Sequence, residues 1–188
     1  VAGHDLKFIN PLCRKFSDYG YAISIDKWGG HDMHNVDESL ALVKEADIII
    51  CEWCLGNAAW YSKNKRKGQK LIVRFHLQER NTRFPNKVDM KKVDKMIFVS
   101  PHIRREAISR FGWEKWAEKQ LTIIPTHVDT EAFDLPKSAD AQFNIGIVGI
   151  VPQRKRFDLA LDIVEKLRQE DKRFHLYVKG KMPHEGSW

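Results

Sequence analysis

Short apolar segments alternate with segments of helical periodicity along the whole chain, and this alternation restricts the fold more than any other feature. Most of the apolar segments are rich in Ile and Val without strict alternation, which is typical of strands covered on both faces. Between them, apolar residues recur at helical spacing. This order predicts parallel βαβ units, and therefore an α/β protein with a Rossmann-like parallel sheet and flanking helices.

The apolar and periodic segments give approximate bounds for each element. The predicted strands are residues 21–25, 47–51, 70–75, 95–99, 121–124, 143–148 and 173–178. The predicted helices are residues 12–18, 38–46, 103–111 and 158–170, of which the first and third are closed by Gly20 and Gly112. On the second helix, Val36, Leu40 and Val43 fall on one face.

Charge and cysteine content narrow the class of protein. The formal net charge of +7 favours anionic partners such as phosphates, nucleotides, nucleic acid or an acidic lipid surface. No window approaches the roughly 18 to 20 apolar residues of a membrane span, so we expect a soluble protein. Three cysteines, an odd number, favour a reducing compartment, and we predict a cytoplasmic protein.

A change in composition at "FDLPKSADAQ", residues 133–142, predicts a boundary between domains. We predict a first Rossmann-like domain over 1–134, a linker over 135–142 and the start of a second domain over 143–188. The second segment is too short to bury a core of its own. The first three residues are typical of the end of a strand and its turn. We therefore expect the chain to be part of a longer protein.

Six segments occur in the order found in glycosyltransferase family 4. These segments are "AGHDLKF" (2–8), "CEWCLGNAAWYS" (51–62), "LIVRFH" (71–76), "FVSPHIRRE" (98–106), "IPTHVDTEAF" (124–133) and "IGIVGIVPQRKRFDLAL" (145–161). The chain resembles these group 1 glycosyltransferases, which have the GT-B fold, over nearly its whole length. The resemblance implies an acceptor-side first domain and a second domain that binds the nucleotide-sugar donor.

The last two segments are the most specific. "IPTHVDTEAF" is similar to the family's Ile-Pro-Asn-Gly-Val-Asp-x-x-x-Phe segment, with Thr126 and His127 in place of Asn-Gly. "VGIVPQRKR" is similar to the phosphate loop Val-Gly-Arg-x-x-x-x-Lys-Gly, in which Lys155 keeps the lysine. Ile150 stands where the family has arginine, and Arg156 where it has the second glycine.

The resemblance implies a retaining transfer of a sugar from a nucleotide-sugar to a glycan, lipid or other acceptor. A departing diphosphate gathers negative charge, so cations and helix amino termini aimed at it lower the barrier. Lys155 and Arg156 precede the last predicted helix and suit this task, although a solvated basic helix start has the same pattern. Gly3 is expected to let the backbone approach the donor. Because the chain has no Asp-x-Asp triplet, we expect transfer without metal or other cofactor.

The segment "RFHLQER", residues 74–80, places polar side chains directly after a predicted buried strand. The resemblance places His76 in the cleft between the two domains as a catalytic residue, with Arg74 and Glu79 fixing the orientation of its ring. Glu79 as a general base is the weaker interpretation. The alternative is that His76 is a structural histidine at a strand end.

Residues after the preceding strand are candidates for the acceptor or sugar site. Glu52, Trp53 and Asn57, together with Trp60, are predicted to line a crevice, since aromatic faces and amide edges suit carbohydrate. The alternative is that both tryptophans pack in the core. "CEWC" (51–54) and "HDMH" (31–34) resemble metal or redox motifs, but no second Cys-x-x-Cys follows, so a metal site is disfavoured.

A basic segment and the absence of two motifs decide between membrane contact, nucleic-acid binding and dehydrogenase activity. "KNKRKG" (63–68) ends a predicted helix, where cations favour the macrodipole, and contact with an anionic membrane is the functional alternative. No nucleic-acid reader module is recognisable, and no Gly-x-Gly-x-x-Gly supports a dehydrogenase. The second hypothesis is a non-catalytic Rossmann-like protein that binds carbohydrate or nucleotide.

Overall fold

A computed structural model describes residues 1–181 of the chain, which divides into two compact units. Unit 1 is Val1–Val128, and unit 2 begins at Asp129. The predicted domain boundary, between residues 134 and 135, lies shortly after this division. The end of the predicted second domain, residues 182–188, lies outside the described residues.

Unit 1 is an α/β domain with a six-stranded parallel sheet in the order β2-β1-β3-β4-β5-β6, flanked by helices, as in a Rossmann-like fold. The strands are β1 Ala2–Gly3, β2 Asp26–Lys27, β3 Ile48–Glu52, β4 Lys70–Phe75, β5 Lys95–Phe98 and β6 Leu121–Ile123. The helices are α1 Asn10–Asp18, α2 Val36–Glu45, α3 Gly56–Asn64 and α4 Pro101–Phe111. The α/β class predicted from the sequence is confirmed for this unit.

Strand β4 lies in the interior of the sheet, between β3 and β5. Leu71, Val73 and Phe75 are completely buried, as are Met96 and Phe98 on the neighbouring strand. Because alternate residues of a strand point to the same side, these side chains bury one face of the sheet at its centre. The core of unit 1 is therefore centred on β4 and β5.

The predicted strand at 21–25 is wrong. The edge strand is Asp26–Lys27, and its pairing with β1 begins where the backbone N–H of Asp26 donates to the carbonyl of Val1 (2.8 Å). The side chains of Tyr21 and Ile25 are exposed. Residues 21–25 form no strand in the structure, although the terminal ammonium of Val1 donates to the carbonyl of Ser24 (2.7 Å).

Helix α2 is rotated relative to the predicted apolar face. Val43 is buried, but Val36 and Leu40 are exposed. The hydroxyl of Ser39, one turn before Val43, is buried and donates to Asp26 (2.8 Å). Because residues four apart share a helix face, this hydrogen bond turns Ser39 and Val43 toward the sheet.

Helix α4 is capped at its amino end and followed by glycine at its carboxyl end. Ser100 accepts a hydrogen bond from the backbone N–H of Ile103 (3.3 Å), and Pro101 is the first helical residue. The helix ends at Phe111, before Gly112 in the left-handed conformation with φ of 66°. The predicted carboxyl end of this helix is confirmed.

Unit 2 contains one βαβ arrangement among the residues described. Strands β7 Asn144–Val148 and β8 His175–Lys179 pair in parallel, and helix α5 Phe157–Glu170 connects them. A Rossmann-like second domain around this arrangement stays a prediction. Across residues 1–181, no helix is long and apolar enough to cross a bilayer.

Candidate functional site

The carboxyl ends of β3 and β4 place several polar side chains at one edge of the unit 1 sheet. Glu52 is the last residue of β3 and lies opposite Arg74 in the register of the two parallel strands. His76 follows the last residue of β4. Open α/β sheets bind ligands at this edge, so these residues form the candidate site.

A buried charged cluster links Glu52, Arg74 and His76. One carboxylate oxygen of Glu52 accepts from the Arg74 guanidinium (2.8 Å), and the other contacts Nε2 of His76 (2.8 Å). Glu52 is 0% exposed, Arg74 4% and His76 6%. The sequence prediction that Arg74 and Glu79 hold the His76 ring is therefore corrected, because the carboxylate of Glu52 contacts the ring and Arg74 acts through Glu52.

The contact with Glu52 determines which ring nitrogen of His76 carries a hydrogen. A carboxylate accepts hydrogen bonds, so Nε2 must carry a hydrogen and donate it. In the neutral ring the lone pair then lies on Nδ1, which has no hydrogen-bond partner within residues 1–181. The ring lies between Phe8 (centroids 5.2 Å apart) and Trp53 (4.1 Å). His76 is thus held in one orientation with one acceptor atom unused.

Glu79 supports the backbone beside His76. Its Oε1 accepts from the backbone N–H groups of Cys54 (3.0 Å) and His76 (3.0 Å). Its Oε2 is buried and has no partner in the described part of the chain. Burial raises the pKa of Glu79, although the two N–H donors oppose this shift. The carboxyl group joins the loops after β3 and β4 from inside the protein.

Replacing Glu79 with alanine is expected to lower the free energy of unfolding by about 2–6 kcal/mol. Two buried backbone N–H groups would lose their acceptor, at about 1–3 kcal/mol each. The matched variant, Glu79→Gln, keeps an acceptor oxygen and should unfold within about 1 kcal/mol of the wild type at neutral pH. Urea denaturation measures both. An alanine variant as stable as the glutamine variant would contradict this role.

The raised pKa of Glu79 also predicts a pH dependence. The folded protein holds the proton more tightly than the unfolded chain, so the stability contributed by protonated Glu79 is complete below its ordinary pKa of 4.5. This stability is lost as the pH rises through the higher folded pKa. The wild type should therefore lose stability relative to Glu79→Gln as the pH rises above 4.5. Urea midpoints across this range test the sign, and parallel curves would contradict it.

Trp53 and Asn57 shape the turn between β3 and α3. Trp53 has a φ of 74°, which is uncommon for a residue other than glycine, and its indole N–H donates to the carbonyl of Asp5 (2.7 Å). The Asn57 amide donates to the carbonyls of Ala2 (2.8 Å) and Glu52 (3.0 Å). Asn57 is 2% exposed. The predicted polar lining by Glu52 and Asn57 is therefore corrected, since their polar atoms bind within the protein.

Two other predicted positions pack against the same turn. A Cβ atom at Gly3 would lie 2.8 Å from the carbonyl oxygen of Glu52, so glycine lets β1 approach β3. Trp60 is partly buried and packs against the core of unit 1. Both residues thus have a packing role in unit 1.

Aromatic and imidazole groups that were not predicted from the sequence surround His76. Phe8 stacks on His76, and the ring of His4 lies 5.9 Å from Trp53 and 5.0 Å from His31. Phe84 is buried in a small cluster with Trp53. "HDLKF", residues 4–8, directly follows β1, and this position at the carboxyl end of a parallel strand is the signal that could have identified Phe8 and His4.

In unit 2, the loop after β7 brings Lys155 back toward Gly149. A Cβ atom on Gly149, which has a φ of 76°, would lie 3.5 Å from Cε of Lys155. The Lys155 ammonium makes no ion pair with any residue in 1–181. Arg156 is in the left-handed conformation (φ 53°) and pairs with Asp158 (3.1 Å). The diphosphate role of Arg156 stays a prediction, since this ion pair is exposed on both sides.

The Cys-x-x-Cys segment does not form a reactive or metal-binding group. Cys51 and Cys54 are free thiols that are completely buried, and burial raises the pKa of both. Thiols with a raised pKa are poor nucleophiles and poor metal ligands. Within the described residues, no group of three or more His, Cys, Asp or Glu side chains could hold a metal ion.

Comparisons with known proteins add no family assignment. No protein-family model matches the sequence, and a search of curated proteins gives no match. The function is therefore inferred from the carboxyl edge of unit 1 and the loop after β7 in unit 2.

Proposed function

We propose that the protein is a retaining glycosyltransferase of the GT-B type, which moves a sugar from a nucleotide-sugar to a glycan or lipid-linked acceptor. Unit 1 would take the acceptor side and unit 2 the donor side. The single observation that carries the proposal is the Glu52–Arg74–His76 cluster at the carboxyl ends of two adjacent interior strands. The motif resemblance supplies the reaction class.

His76 has the properties of a residue that positions a sugar hydroxyl. Nδ1 can accept a hydrogen bond from a hydroxyl group while Nε2 stays bound to Glu52. Phe8 and Trp53 fix the ring, so little conformational entropy is lost when a ligand binds.

Lys155 and the amino end of α5 would hold the diphosphate of the donor. The N-cap residue of α5, Arg156, makes no side-chain capping bond, so the first N–H groups of the helix are not capped by it. The left-handed backbone at Arg156 also favours glycine, which is the residue of the resembled phosphate loop at this place. This backbone conformation supports the alignment of the loop.

Replacing Lys155 with alanine is expected to weaken the binding of a nucleoside diphosphate by about 10- to 100-fold, because a charge-assisted hydrogen bond is lost. Lys166→Ala, which removes an exposed cation from α5, is the matched control and should leave binding unchanged. Calorimetric titration of the full-length protein with uridine, guanosine and adenosine diphosphates measures the effect. Equal binding by both variants would exclude Lys155 from the site.

The proposed function is tested by assaying the full-length protein with a panel of nucleotide sugars and measuring released nucleoside diphosphate. We expect turnover that persists in the presence of a chelator, since Lys155 and a helix terminus replace a metal ion. Loss of activity in chelator, restored by Mg²⁺ or Mn²⁺, would contradict the metal-independent mechanism. Tight binding of nucleotide without any turnover would instead support the non-catalytic alternative.

A further inference from the structure

The amino ends of the unit 1 strands carry a group of exposed cations. His76 lies at the other end of the strands, after the carboxyl end of β4. The cations lie just before or at the start of β4, β5 and β6. We call them the basic edge: Lys67, Lys70, Lys91, Lys92, Lys95 and Lys119. Cations at helix carboxyl ends usually stabilise the macrodipole. That explanation does not apply to Lys91, Lys92 and Lys119, which are not in the last turn of an α-helix.

Hydrogen bonds join the segments of the basic edge into one surface. Lys70 pairs with Asp94 (3.0 Å), which connects the start of β4 with the segment before β5. Lys95 donates to the carbonyl of Lys119 (2.8 Å), and the amide of Gln120 donates to the carbonyl of Val93 (2.6 Å). These bonds connect β5 with the segment before β6. The cations therefore belong to a continuous surface that crosses three strands.

Positive charge at this surface is only partly balanced. Residues 129–188 contain equal numbers of basic and acidic residues, so the net charge of +7 belongs to residues 1–128. Asp94 pairs with two lysines, Lys65 (2.7 Å) and Lys70 (3.0 Å). Although burial opposes it, hydrogen bonding to these lysines and to a backbone N–H lowers the pKa of Asp94 to about 2, so this carboxylate stays ionised. It cannot neutralise the rest of the basic edge.

We propose that the basic edge docks unit 1 on an anionic lipid bilayer. Neighbouring strands are about 4.8 Å apart, so cations before three successive strands form a broad front, which suits a planar charged surface better than a single extended strand of nucleic acid. Each cation near an anionic bilayer strengthens binding about fivefold. Docking by the basic edge leaves the carboxyl edge, with His76, facing water. This proposal is independent of sugar transfer.

Vesicle sedimentation tests the docking surface with the whole 188-residue chain. The test variant is Lys91→Gln/Lys92→Gln/Lys119→Gln, and the matched control is Lys137→Gln/Lys166→Gln/Lys172→Gln, which removes the same charge from exposed positions of unit 2. On vesicles of phosphatidylcholine with phosphatidylglycerol, we expect binding by the wild type and the control, and about hundredfold weaker binding by the test variant. Pure phosphatidylcholine should bind none of them.

Three outcomes would overturn the proposal. Equal loss in the test variant and the control would show an effect of net charge and no defined surface. Binding to pure phosphatidylcholine that matches binding to anionic vesicles would show that charge does not direct it. Tighter binding to a single-stranded oligonucleotide than to vesicles, lost in the test variant, would assign the basic edge to nucleic acid. Circular dichroism of each variant confirms that the comparison is made between folded proteins.

Discussion

Replacing Arg74 with methionine is expected to lower the free energy of unfolding by about 3–5 kcal/mol. Methionine keeps most of the length of the side chain but removes the guanidinium that pairs with Glu52 (2.8 Å). Glu52 is 0% exposed, so its charge would remain buried with one fewer partner. Equilibrium urea unfolding, followed by circular dichroism, measures the loss.

The control for this prediction removes the charge from both partners. In Arg74→Met/Glu52→Gln, no carboxylate is left at position 52, and the amide oxygen of glutamine can still accept from Nε2 of His76. We expect the double variant to recover most of the stability lost in the single variant. A single variant as stable as the wild type would mean that solvent reaches the carboxylate.

Replacing His76 with glutamine is expected to reduce turnover in the proposed sugar transfer by about 10- to 1000-fold, or about 1.4–4 kcal/mol of transition-state stabilisation. The amide of glutamine can donate to Glu52, as Nε2 of His76 does, but no basic nitrogen replaces Nδ1. The melting temperature should fall less than in His76→Ala, because glutamine keeps the contact with Glu52 although it also lacks the ring between Phe8 and Trp53. Steady-state kinetics and thermal melting, measured on the same preparation, separate the two effects.

The alanine variant of His76 serves as the comparison. It removes the ring between Phe8 and Trp53 and the contact with Glu52, so we expect a loss of stability in addition to the loss of turnover. If His76→Gln turns over like the wild type while His76→Ala melts early, the histidine is structural. The role proposed for Nδ1 would then be wrong.

Strong local signals explain which elements the sequence predicted well. The predicted bounds of β4 match the structure at both ends, because an uninterrupted apolar segment at this position is buried between neighbouring strands. The carboxyl end of α4 is predictable because a glycine follows the helical pattern, and Gly112 does adopt the left-handed conformation that ends a helix. In contrast, β2 was misplaced, since the residues that pair with β1 are decided by strand register, which apolarity alone does not specify.

The position of the candidate site was easier to predict than its contacts. His76 follows an interior parallel strand, and the rule for the carboxyl edge needs only that information. The contact between Glu52 and His76 joins residues 24 positions apart in the sequence. It depends on Glu52 lying opposite Arg74, and on Arg74 and His76 being two residues apart and so on the same side. The register between β3 and β4 determines which residues lie opposite each other, and a single sequence does not specify that register.

The close approach of Gly3 to Glu52 limits how this protein can vary. A side chain at position 3 would meet the Glu52 carbonyl oxygen at 2.8 Å, and that oxygen also accepts a hydrogen bond from Asn57 (3.0 Å). Relief of the clash would move the last residue of β3, and with it the carboxylate that binds Arg74 and His76. The contacts of the Glu52 carboxylate and the pairing of β1 with β3 are therefore coupled through position 3. An engineer who wishes to change one of them has to begin from a sequence that keeps glycine at position 3.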